Sequence, residues 1–164
     1  MADLKAQSDE AIADAERQRK IAEARRIYLE QELSAQEYKA ACATLVGDVE
    51  KVIIKMGRSV QEKKGELIVT DWSYVQPRYD STWDYRIVQT RVASKNRYVL
   101  ELESSSPTAC KMRATYQYVD ENGGELTDRA LDFETRFLEQ VDPTRYAEVE
   151  AKSKAIEDQY PAGA

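Results

Sequence analysis

The chain of 164 residues contains no histidine. That removes the commonest general base, and with it the Ser/His and Cys/His nucleophile pairs. A metal site would have to be built from carboxylates alone, and no Asp-x-Asp-x-Asp-Gly loop occurs. Asp120-Glu121-Asn122-Gly123 has a faint likeness to a calcium loop, but turn chemistry accounts for the same residues. With only 6 glycines there is no phosphate-cradling loop. Long apolar runs are missing too. None follows Met1, so neither a signal peptide nor a membrane span is expected. The net charge is -6, and a nucleic-acid partner, whose attraction depends on clustered Lys and Arg, is not expected. Acidic residues are plentiful, yet nothing singles out a glycosidase pair. No catalytic residue, metal or cofactor is expected.

Cysteine is scarce. Cys42 and Cys110 allow at most one intramolecular bridge. Cys42 falls on an apolar helical face, where a buried free thiol behaves as a small hydrophobe; this reading leads, and a Cys42–Cys110 disulfide is the alternative. The charges balance in residues 1–64, so the whole excess of -6 sits in residues 65–164. Two physically different halves follow: a helical arm over 1–64 with a break possible at 33–34, and a β domain over 65–155. A loose tail at 156–164 completes the expected organisation.

Residues 1–20 are rich in Ala, Glu, Gln, Arg and Lys, strong helix formers, but Leu4 and Ile12 are their only large apolar residues. Ser8, followed by Asp9 and Glu10, is a plausible N-cap. Such a segment has little to bury, and it either joins a partner or stays a solvated arm. From Ile21 the pattern strengthens, with Ala22, Ala24, Tyr28, Leu29 and Leu33 on one stripe. Ser34-Ala35-Gln36-Glu37 reads as a capping box that begins a new helix or marks a long one. The stripe Tyr38, Ala41, Cys42, Leu45, Val49, Val52, Ile53, Met56 and Val60 follows helical spacing closely. Gly57 suits a C-terminal stop, and Gln61–Gly65 reads as a polar linker.

In the second half the expected elements are β-strands. Met112, Ala114, Tyr116 and Tyr118 alternate with polar residues, and Asp120–Gly124 supplies a turn, so Lys111–Leu126 reads as a central strand and hairpin. Leu67–Tyr74 predicts a strand with Ile68, Thr70, Trp72 and Tyr74 sharing a face. Val75–Ser81 reads as a loop, Trp83–Val92 and Arg97–Glu103 as strands, Ala93–Asn96 as a turn, and Ser104–Thr108 as a break. Leu131, Phe133, Thr135 and Phe137 alternate with Asp132, Glu134, Arg136 and Leu138 as a further strand. Asp142-Pro143 either caps a helix through Ile156 or precedes a last strand, and the strand is preferred. The expected class is α+β: a helical arm or hairpin followed by an antiparallel immunoglobulin-like β-sandwich.

Two resemblances rest on these residues. Leu33-Ser34-Ala35-Gln36-Glu37-Tyr38 resembles the core of the SHOCT module, and the resemblance over 21–46 implies self-association. Leu67 to about Ala151 resembles an FxLYD-type immunoglobulin-like domain. Glu103–Pro107, Tyr116-Gln117-Tyr118-Val119-Asp120, Asn122-Gly123-Gly124 and Asp142-Pro143 stand at the family's characteristic places. That resemblance implies no catalytic residues and an envelope or secreted location; a full-length chain without a leader would instead be cytoplasmic.

The expected function is therefore a non-enzymatic structural or interaction protein. It would self-associate or dock to a protein partner through Tyr38, Ala41, Leu45, Val49, Val52, Ile53 and Met56. The alternative is a small module that binds carbohydrate or peptide through Trp72, Tyr74, Tyr79, Trp83 and Tyr85. Large aromatics at alternate strand positions are more often core.

Overall fold

The computed structural model describes residues 2–74 and 94–162. The chain is α+β, as expected, and divides into two compact units: Met1–Gln36 with Asp142–Ala164, and Glu37–Val141. This differs from the expected boundaries. Residues 37–64 belong with the sheet, and the chain's two ends belong together.

In the unit Glu37–Val141 the strands are β1 (Val60–Lys64), β2 (Leu67–Thr70), β3 (Ser73–Tyr74), β4 (Lys95–Ser106), β5 (Ala109–Val119) and β6 (Glu125–Arg129). All pair antiparallel in the order β1-β2-β4-β5-β6, with β3 also beside β4. Two helices belong to the same unit, α2 (Cys42–Lys55) and α3 (Leu131–Val141). The expected central hairpin is present: β5 and β6 pair from Thr115↔Arg129 to Val119↔Glu125. In β5 the alternation buries Cys110, Met112 and Ala114. The break at Ser104–Thr108 is the tight turn between β4 and β5, where Ser106 pairs with Ala109 across Pro107-Thr108.

One face of the sheet is dry. Register places Ile68, Leu100 and Ala114 side by side, and then Leu102 beside Met112. Against this face lie α2, contributing Leu45, Val49, Val52 and Ile53, and α3, contributing Phe133, Phe137 and Leu138, all buried. Two layers thus surround one core. The described strands form a single sheet, and the layer against it is helical rather than the second sheet of a sandwich.

Several local expectations are corrected. Residues 131–138 are helical, because Ala130, Phe133, Glu134, Phe137 and Leu138 are buried at i, i+3, i+4, i+7, i+8; the period-two reading fails at Leu138. The segment after Asp142-Pro143 is the helix α4 (Pro143–Ala155), not a strand. The Asp142 carboxylate accepts from the Arg145 backbone N–H at 3.1 Å, and Pro143 occupies the first turn. Gln61–Gly65 is not a linker. It contains most of β1, an edge strand whose residues are all exposed and which therefore carries no apolar alternation. Gly65, at φ 61°, allows the two-residue turn into β2. Lys95 and Asn96, expected in a turn, begin β4. Trp83–Val92 and Val75–Ser81 lie outside the described residues.

Helix ends also differ. The capping box at Ser34–Glu37 starts no helix: α1 runs Ala2–Ala35, and α2 begins at Cys42 after Ala41, whose side chain provides no cap. Gly57 does stop α2. At φ 72° it donates to the Ile54 carbonyl at 2.9 Å while Arg58 N–H reaches the Ile53 carbonyl at 2.9 Å, a Schellman motif. The α2 segment is hooked to the start of β5 in two ways. Tyr38 and Cys110 exchange backbone hydrogen bonds of 2.8 and 2.9 Å. Cys42 and Cys110 form a disulfide with Cα atoms 5.1 Å apart, so the free-thiol reading of Cys42 is replaced by the bridge.

The other unit consists of α1, α4 and a 3-10 turn at Ile156–Gln159. Ile21, Leu33, Val149 and Ile156 are its buried apolar residues. Arginines fasten the two ends. Arg25 donates to the Ser153 carbonyl at 2.9 Å and the Lys154 carbonyl at 3.3 Å, a second donor to acceptors that the backbone N–H groups of the cap already reach. Arg17 donates to the Tyr160 carbonyl at 2.6 Å, and both arginines sit 3.5 Å from Glu157. Residues 156–160 are thus held and do not form a loose tail.

The bridge closes a sequence separation of 68 residues, for which the chain-entropy account gives about 4 kcal/mol. A Cys42→Ala/Cys110→Ala variant is expected to lose about 2–4 kcal/mol in urea unfolding. An unchanged midpoint would show that the bridge contributes nothing to stability.

Candidate functional site

The stripe expected to carry a partner is occupied by its own chain. Leu45, Val49, Val52 and Ile53 are buried against the sheet and α3. Tyr38 and Ala41 precede α2; Tyr38 is buried, its ring edge-on to Phe137 at 4.9 Å, and Ala41 is half-buried. Met56, at the C-cap, is half-buried.

Of the aromatic cluster, Tyr79, Trp83 and Tyr85 lie outside the described residues. Trp72 and Tyr74 do not share a face with Ile68 and Thr70. Between the pairs Val69↔Val99 and Ser73↔Asn96, one strand advances four residues and the other three. The extra residue inverts the alternation and turns Trp72 and Tyr74 to the wet side of the sheet. Thr70 repairs the ladder there, its hydroxyl accepting the Tyr98 backbone N–H at 2.9 Å. Tyr74 is 62% exposed. The Trp72 indole lies 4.4 Å from the Lys95 ammonium and 4.3 Å from the Arg97 guanidinium. These groups line a cleft of about 310 Å³ with Gln117, Glu125 and Thr127.

A second cleft, of about 340 Å³, opens where β4, β5 and α3 meet. The Tyr98 hydroxyl donates to the Asp132 carboxylate at 2.7 Å. The Arg58 guanidinium lies 5.1 Å from the Tyr98 ring and donates to the Asn96 side-chain and backbone oxygens. Burial, reinforced by the bond to Asp132, holds the Tyr98 phenol well above the usual tyrosine range; burial also raises Tyr116, 5.5 Å away ring to ring. Beside them Glu134, 2% exposed, receives Arg129 through both oxygens at 2.8 and 2.7 Å. The sequence pattern does not reveal this network, since a strand over 131–138 puts Asp132 and Glu134 on the face opposite Phe133 and Phe137. The helical spacing of Ala130, Phe133 and Phe137 was the signal that would have moved them. Its donors and acceptors satisfy one another, which suits a structural network better than a reactive one.

The remaining carboxylates carry other duties. Asp120 accepts from the backbone of Asn122 at 2.8 Å and Gly124 at 2.7 Å, so the calcium-like run is a turn. Among the described residues no group of three or more Asp, Glu or Cys side chains could hold a metal ion. No described helix is long and apolar enough to cross a membrane. Sequence comparison finds no matching family model and no similar curated protein.

Two predictions follow from the network. Arg129→Ala, which strands a buried carboxylate, is expected to cost about 3 kcal/mol in urea unfolding, while Arg129→Met/Glu134→Leu recovers much of it. Equal losses in both variants would mean that the charge is not what matters. Because the folded state raises the Tyr98 phenol, its contribution is complete below the unfolded value near pH 10 and declines as pH rises beyond it. Stability measured from about pH 8 to about pH 11 should therefore fall, and Tyr98→Phe should fall less steeply.

Proposed function

We propose that this protein is a non-enzymatic interaction protein that self-associates, or docks to a protein partner, through the N-terminal part of α1. One observation carries this reading: residues 4–16 of the 34-residue helix are all exposed, with Leu4 at 73% and Ile12 at 56%. A helix segment of this length is marginal in water when no surface backs it. A second chain lying along it would cover those apolar side chains and supply the missing support. The SHOCT-like run Leu33–Tyr38, from a module tied to self-association, points the same way. The Cys42–Cys110 bridge favours an oxidising compartment, in keeping with the envelope or secreted location that the FxLYD resemblance implies.

Light scattering on the full chain and on Leu4→Glu/Ile12→Glu tests this. Burying a Leu or Ile is worth about 1.5–3 kcal/mol, so the variant should associate at least about tenfold more weakly while its thermal midpoint stays put. A wild-type chain that is monomeric, with its helicity unchanged by the two substitutions, would remove the reading.

A further inference from the structure

The wet face of the sheet is patterned by charge. Across β4 and β5, Glu101 stands opposite Arg113 and Glu103 opposite Lys111, so cations and anions match pair by pair. At the other end of the same face the matching stops. Lys95 stands opposite Val119 and Arg97 opposite Gln117. Among the described residues neither cation is in an ion pair. Arg97 uses Nε to donate to the Gln117 side-chain oxygen at 2.7 Å, which leaves the terminal guanidinium nitrogens without a partner among the described residues. Both side chains are half-buried and held against the Trp72 ring.

We infer that the cleft bounded by Trp72, Lys95, Arg97, Gln117 and Thr127 binds a small organic carboxylate. Trp72 is the positioning residue. By holding two cationic heads over its ring it removes part of the side-chain entropy that binding an anion would otherwise cost. The carboxylate lies between the Lys95 ammonium and the free edge of the Arg97 guanidinium, whose planar fork matches it. Gln117 and Thr127 offer amide and hydroxyl groups to the rest of the ligand. A cleft of about 310 Å³ stands at the lower end of ligand-site sizes, so the ligand is small. Glu125, which also lines the cleft, and the chain's net charge of -6 oppose a polyanion. An acidic sugar and an acidic peptide both carry the required group.

Isothermal titration of the full chain decides the matter. The probes are galacturonate and its methyl ester, N-acetyl-aspartyl amide and the matching N-acetyl-asparaginyl amide, and inorganic phosphate. One acid, or both, should bind, with the uncharged counterparts silent; which acid binds identifies the source. Lys95→Gln and Arg97→Gln keep a polar side chain and remove the charge, and each should weaken binding at least about tenfold. Arg113→Ala, on the same face but opposite Glu101, should change it by less than about twofold. Circular dichroism confirms that each variant is folded. The proposal fails if neither acid binds at about 10 mM, a Kd weaker than ordinary small-ligand affinities. It fails also if esters or phosphate bind as well as the acids, or if Arg113→Ala weakens binding as much as Lys95→Gln.

Discussion

Removing one face of the sheet from water is the constraint on which residues 37–141 depend. Ile68, Leu100 and Ala114 stand abreast on β2, β4 and β5, and only a second layer can cover them. The apolar stripe of α2 and the paired phenylalanines of α3 provide that layer. Hydrophobic burial sets the contact but not its register along the strand. Register comes from Cys110, which is tied to Cys42 by the disulfide and to Tyr38 by two backbone hydrogen bonds. A residue at the start of β5 thus fixes where α2 begins.

The elements legible in the sequence were those in which one physical signal stood alone. Met112 and Ala114 in β5, the turn at Asp120–Gly124, and the spacing Leu45, Val49, Val52, Ile53 have no competing period, and each is found as expected. Trouble arose where two signals overlapped. Residues 130–138 carry both a period of two and a helical period, and Leu138, with the buried Glu134, decides for the helix. At Asp142-Pro143 cap chemistry competes with an alternation of Ala147, Val149 and Ala151 with polar residues, and the Asp142 bond to the Arg145 N–H decides for the helix. The edge strand β1 was illegible for another reason: all five of its residues face water, so no pattern could mark it.

Candidate sites were harder to read than elements, because a single inserted residue changes which face a side chain occupies. Counting by twos from Ile68 places Trp72 in the core. The bulge before Ser73 sends it to the wet side, next to Lys95 and Arg97. Nothing in the sequence announces that bulge, since Thr70 conceals it by satisfying the Tyr98 N–H through its side chain. The Tyr98–Asp132 contact was hidden in the same way by the wrong period for α3.

The chain's two ends follow a different logic from the sheet. Apolar cover is slight there, with Ile21, Leu33, Val149 and Ile156 buried, and arginines do the fastening by donating to carbonyls at the end of α4. Such contacts are directional, and they act only where the donors reach. Arg17 is the first of these donors along α1. N-terminal to it the helix loses both apolar cover and arginine clasps, while its composition of Ala, Glu, Gln and Lys keeps intrinsic helix propensity high. Propensity alone leaves a helix of that length close to balance between folded and frayed. A small amount of added contact along Leu4 and Ile12 would therefore shift that balance strongly, which makes the first turns of α1 the place where a neighbouring chain would have the greatest effect.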